Sequence, residues 1–168
     1  MKYKLTPAEY ATCYAIALAR VLAHIAKDSK HAPGYKSLVF DARVSATAES
    51  IAAEMVVSRF LSIPWVDSAG SYKNRADVGE IHEVKNTSWD QGQLIISAKD
   101  RDGDIAWLVI GEFPKYRIAG YIPVKTARTP RFKHPYQPNH WVHQIDLREP
   151  NTFKHSIYNN GPKTEVVK

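Results

Sequence analysis

The chain is poor in cysteine: Cys13 is the only one among 168 residues. A lone thiol forms no internal disulfide and builds no cysteine-type zinc site. A reducing compartment such as the cytoplasm is therefore the expected location. Long apolar runs are missing too; none approaches the roughly 18–20 residues that a membrane-spanning helix needs. The first residues, Met1-Lys-Tyr-Lys-Leu-Thr-Pro7, lack the apolar core and small-residue cleavage site of a secretory signal. There is no glycine-rich phosphate loop and no serine nucleophile elbow. Internal repeats are absent as well. What remains is 44% hydrophobic and 24% charged, with a mean hydropathy of −0.37. That balance excludes a disordered, collagen-like or coiled-coil chain and suits one folded domain over residues 1–168.

Acidic residues run short in the last third. Residues 1–112 carry 13 basic and 14 acidic side chains, whereas residues 113–168 carry 10 basic and 3 acidic. The excess of the overall +6 charge thus belongs to the C-terminal segment. Such a segment points to a polyanionic partner, with a solubilising basic edge as the plainer alternative. Lys125, Arg128, Arg131, Lys133 and Lys154 alternate there with Phe132, Tyr136, Trp141, Phe153 and Tyr158. Cations meet phosphates and aromatic rings stack on unpaired bases, although the same rings can cover the end of a sheet.

The element pattern is α then β. Thr6-Pro7-Ala8-Glu9 combines a cap, a first-turn proline and the glutamate of a capping box. Tyr14, Leu18, Val21, Leu22 and Ile25 follow at helical spacing, and the helix is expected to end at 27–29. Leu38-Val-Phe40 reads as a strand or an extended link. A second helix is predicted over 46–61; its bulky residues point nearly all round, which predicts burial. Glu54 lies in its middle and Glu49 in its first turn, where the helix dipole accounts for an acid. From Trp65 the period changes. Strands are predicted at 76–79, 81–86, 94–97, 105–110 and 116–122, with a last edge strand at 141–147 and a polar turn over 99–104. Residues 159–163 read as a tail. Helices followed by strands predict an α/β fold, a mixed central sheet flanked by helices.

The chemistry concentrates in Asp77-Val-Gly-Glu-Ile-His-Glu83-Val-Lys85. On a strand Glu83 and Lys85 share one face and Val84 takes the other. Two carboxylates offer hard oxygen ligands to Mg²⁺ or Mn²⁺. A bound metal polarises a phosphate and lowers the pKa of a coordinated water, and a lysine orients that water or offsets developing charge. The tripeptide acid-any-Lys alone is weak evidence: chance gives about 1.4 occurrences, and the chain has Asp28-Ser-Lys30 besides Glu83-Val-Lys85. Only the second lies on a predicted strand after a helix bearing a central acid. The simpler alternative is an ion pair on a solvated sheet face.

A helix with a glutamate, then Asp, then Glu-x-Lys, then further strands resembles the PD-(D/E)XK nuclease superfamily. Arg75-Ala-Asp-Val-Gly79, Glu83-Val-Lys85, Leu94-Ile-Ile96 and Tyr116-Arg-Ile-Ala-Gly-Tyr-Ile-Pro123 resemble small phage-encoded members. The likeness spans 46–125, leaving the first helix (1–30) and the basic, proline-containing segment 126–168 outside it. It implies a restriction-endonuclease-like core and Mg²⁺-dependent hydrolysis of DNA, in host cytoplasm if the chain is phage-encoded. Carried over, Asp77 and Glu83 are metal ligands, Glu54 an additional acidic ligand, and Lys85 the catalytic lysine. Lys125, Arg128, Arg131 and Lys133 would hold DNA, and many members act as dimers, so a homodimer is allowed. Five residues separate Asp77 from Glu83, Ala76 stands where a proline commonly precedes the acid, and 86–93 is short and polar where members usually have a helix. Asp67 is a rival first acid with a longer gap. The competing function is a non-catalytic nucleic-acid-binding or protein-interaction module on the same fold. Asp100, Asp102 and Asp104 resemble a calcium loop in composition but lack its twelfth-position glutamate, so a polar turn is expected. His134, His140 and His143 fit no zinc spacing. Cys13 reads as a packing residue.

Overall fold

The computed structural model describes residues 2–28, 37–67 and 75–153. The residues 31–34 and 159–163, with Lys154, His155 and Tyr158, lie outside these.

A short strand, β1 (Lys2–Lys4), leads into helix α1 (Pro7–Asp28). The capping box forms as its residues predict: the Thr6 N–H donates to Glu9 Oε2 at 2.8 Å, and the Glu9 N–H to Thr6 Oγ1 at 3.3 Å. The buried face of α1 is made of small residues, Cys13, Ala17 and Val21, while Tyr14, Leu18 and Leu22 remain exposed. Small side chains let α1 approach helix α2 (Ser37–Leu61) closely. Cys13 indeed packs there, with Sγ 3.6 Å from Met55 Sδ.

Helix α2 begins nine residues before the predicted position, so Leu38-Val-Phe40 is helical rather than extended. From Tyr35 to Ile63 the sequence has neither glycine nor proline, and nothing interrupts the helix once begun. Glu49 is therefore mid-helix, and the helix dipole does not explain it. Its carboxylate accepts the Tyr10 and Tyr116 hydroxyls at 2.6 and 2.7 Å. These bonds tie both helices to the sheet.

Strands β2 (His82–Thr87), β4 (Ile105–Glu112) and β5 (Lys115–Pro123) join β1 in one sheet, in the order β1-β5-β4-β2. β2 runs parallel to β4; the other pairings are antiparallel, so the sheet is mixed. The fold is α/β, as predicted. Period-two alternation divides β4 between two apolar layers. Trp107 and Val109 face α1 and α2, whereas Ala106, Leu108 and Ile110 face the other side. Trp107 is fully buried, and its Nε1–H donates to His82 Nδ1 at 3.1 Å.

The second layer contains β3 (Leu94–Ile96), a short helix α3 (Val124–Ala127) and β6 (His140–Val142). The predicted last strand is shorter than 141–147 and does not extend the main sheet. It pairs antiparallel with β3 in a separate two-stranded sheet, and the chain then turns through a 3₁₀ segment at Gln144–Asp146. The strand predicted at 76–79 reduces to a single bridge between Val78 and His82, because Gly79 turns the chain at φ +59°. The residues directly after β2, 88–93, form turns and no helix. Among the described residues, no helix is long and apolar enough to cross a membrane.

Candidate active site

β2 is an edge strand, and a cleft of about 600 Å³ opens along it. Glu54, Asp77, Glu83 and Lys85 all line this cleft. Four residues spread over 32 positions of sequence are thus brought to one place. α2 supplies Glu54, the turn before β2 supplies Asp77, and β2 itself supplies Glu83 and Lys85. Asp67, the rival acid, is not among the lining residues; its carboxylate pairs with the Arg20 guanidinium at 2.5 Å.

Each carboxylate has a distinct anchor. Asp77 Oδ2 accepts the Val84 N–H at 2.8 Å, which fixes the acid against the strand. Glu54 Oε2 accepts the Trp65 Nε1–H at 2.9 Å, with Arg20 4.0 Å from its other oxygen. Glu83 Oε1 accepts Lys85 Nζ at 2.7 Å. Among the described residues, no donor reaches Asp77 Oδ1 or Glu83 Oε2.

Sequence reasoning missed the second carboxylate partner of Lys85. Asp100, assigned only to a polar turn, is buried and accepts Lys85 Nζ at 2.8 Å on Oδ1. Its Oδ2 accepts the Ser97 N–H at 2.6 Å. The lysine is thus clamped between Glu83 and Asp100. Asp102 pairs with Arg128 at 2.5 Å and Asp104 with Arg101 at 2.7 Å, so each aspartate of the turn is taken by a cation.

The cations of the C-terminal segment separate into two groups. Arg128 turns inward: it donates to Ser97 O at 2.8 Å and to the Asp100 carbonyl, bracing the turn that holds Asp100. It is engaged within the fold instead of reaching outward as expected. Lys125 and Lys133 are exposed, and Arg131 is exposed while paired with Asp146. Lys133 Nζ donates to Pro138 O at 2.9 Å.

The electrostatics of the cleft are those of crowded negative charge. Burial, and then the field of Asp77, push the Glu54 carboxyl up to about 7. Burial also raises the Asp77 and Glu83 carboxyls above the ordinary carboxylate range, with Asp77 adding to the effect on Glu83. For Lys85, burial works against the charge, but Glu83 and Asp100 more than offset it and its pKa rises. The lysine is firmly an ammonium. Lys85 and Arg20 offset part of this field, and a divalent cation would relieve more of it. Among the described residues, no three His, Cys, Asp or Glu side chains converge to hold a metal on their own. Mg²⁺ is commonly held by one or two carboxylates, with water and phosphate oxygens completing its shell. The open oxygens of Asp77 and Glu83, with Glu54 beside them, suit that mode for Mg²⁺ or Mn²⁺.

No family model, curated protein or solved structure matches the chain.

Proposed function

We propose that the protein is a metal-dependent nuclease that hydrolyses phosphodiester bonds of DNA, consistent with its resemblance to the PD-(D/E)XK superfamily. The observation that carries this reading is the joining of Glu54, Asp77, Glu83 and Lys85 along one cleft at an open strand edge. Asp77 and Glu83 would hold Mg²⁺ or Mn²⁺, with water and phosphate oxygens completing its shell and Glu54 beside them rather than as a third ligand. When bound, the ion supplies polarisation of the phosphate and a more acidic water. The rest is done by the chain. Lys85, kept charged and aimed by Glu83 and Asp100, orients the attacking water and offsets the charge gathering on the phosphate oxygens. Exposed Lys125, Arg131 and Lys133 hold the backbone of the substrate.

The test is cleavage of labelled DNA in Mg²⁺ by the wild type and by Lys85→Ala, with thermal unfolding confirming that the variant folds. Loss of about 100-fold or more is expected, the scale of removing one positioned transition-state donor. Equal cleavage by both would remove Lys85 from the mechanism. A second reading, a non-catalytic binding module, is favoured by the double ion pairing of Lys85. It requires DNA binding that weakens with salt and no cleavage by either protein.

A further inference from the structure

An exposed indole borders the same cleft. Trp89 is 62% exposed, although burying an indole is among the more favourable things a fold can do. Nor is it on a loose loop. The Trp89 N–H donates to Thr87 Oγ1 at 3.2 Å, and the Trp89 carbonyl accepts the Gly92 N–H at 2.8 Å. A side chain at Gly92 would meet Thr87 Cγ2 at 2.3 Å, so the turn is closed as tightly as glycine permits. From outside, Gln144 Nε2 donates to the carbonyls of Asp90 and Gly92, both at 2.8 Å. Arg117 adds a bond to the Asp90 carbonyl at 3.0 Å and another to Gln144 Oε1 at 3.0 Å. Two neighbouring elements thus hold in place a loop whose tip carries an uncovered ring.

The cleft continues past this ring. Trp141 and Gln93 line both it and a second cleft of about 390 Å³, whose other walls include Lys133, His134, His143 and Arg131, the last paired with Asp146 of the same wall. One side of Trp141 is taken by the His134 ring, with centroids 4.6 Å apart. Its Nε1 is, among the described residues, the one buried side-chain polar atom without a hydrogen-bond partner. An aromatic step beside the carboxylates therefore leads into a basic channel.

We infer that this track receives an unpaired DNA strand, with a base stacked on Trp89 and the backbone passing Trp141 towards Arg131 and Lys133. The inference rests on the nuclease reading for the position of the scissile phosphate and adds its substrate class, single-stranded DNA. In a duplex the base faces are covered by their neighbours in the stack, and a rigid flat ring can meet only edges and sugars. In a single strand the faces are available, and aromatic stacking with backbone cations is how such strands are held.

Binding of the full-length protein to a labelled oligonucleotide, single-stranded and as a duplex of the same sequence, tests this in EDTA. The single strand is expected to bind about tenfold or more tightly. Trp89→Ala should weaken single-strand binding by about tenfold, the size of one base stack, and leave duplex binding unchanged. Trp89→Phe should keep most of the affinity, and the melting temperature of both variants should match the wild type. Equal or tighter duplex binding, or no effect of Trp89→Ala on the single strand, overturns the inference. Cleavage of the same oligonucleotides in Mg²⁺ is followed separately. Strand preference without cleavage supports the track and sets aside the nuclease reading. Equal cleavage of single strand and duplex upholds the nuclease reading and overturns the track.

Discussion

Glu54 shows what assembling the site costs the fold. Its proton is held more tightly in the folded chain than in the unfolded one, because burial and Asp77 both oppose the charge. Between the ordinary value of 4.5 and the folded value of about 7, the folded chain binds the extra proton. The Glu54 contribution to stability therefore falls as pH rises through that window, by on the order of 3 kcal/mol, and changes no further above it. Glu54→Gln should raise the melting temperature at pH 8 by several degrees in EDTA and change it little at pH 5. Thermal unfolding at the two pH values checks this; an equal shift at both would separate Glu54 from the titration. Glu83 and Lys85 were legible in the sequence because a period of two puts them on one face. Asp100 was not. It lies fifteen residues beyond Lys85, and only the parallel pairing of β2 with β4 brings the turn before β4 to the start of β2. No local spacing encodes a parallel register.

The turn between β3 and β4 is a structural element in its own right. Arg128 braces it through two carbonyls and Asp102, and the turn in turn presents Asp100 to Lys85. Arg128→Ala should destabilise the protein by about 1–3 kcal/mol, the range for removing a partner of buried acceptors. It should also lower cleavage while leaving the salt dependence of DNA binding unchanged. A phosphate-contacting arginine would behave oppositely, reducing the salt slope without a loss of stability. Denaturant unfolding and binding at several salt concentrations separate the two. The inward course of Arg128 could not be read from charge pattern, since its residue type and neighbours match those of the exposed cations beside it. The helices show the same limit from another side. The capping box fixed the start of α1, but the start of α2 was misplaced by nine residues. There the apparent strand Leu38-Val-Phe40 has apolar residues suited to either state, and only the absence of a breaker decides between them.

At the scale of the whole molecule, the alternation of helices and then strands was enough to predict an α/β fold with a mixed sheet. The detachment of β3 and β6 into their own small sheet was not readable, because a three-residue strand carries no sign of its partner. The charge asymmetry between the two parts of the chain was readable, and it locates exposed Lys125, Arg131 and Lys133 near the end of the described chain. Replacing these three with alanine should weaken DNA binding at low salt. It should also reduce the slope of log affinity against log salt by about 2, since each phosphate contact on a single strand contributes roughly 0.7. An unchanged slope would exclude them as phosphate contacts. The central claim concerns the carboxylates. Calorimetric titration of Mn²⁺ into the wild type and into an Asp77→Asn, Glu83→Gln double variant tests it most directly, with thermal unfolding confirming that both fold. Binding by the wild type that is lost in the double variant is the expected result, and binding that is equal in the two, or absent from both, would contradict a metal site at the edge of β2.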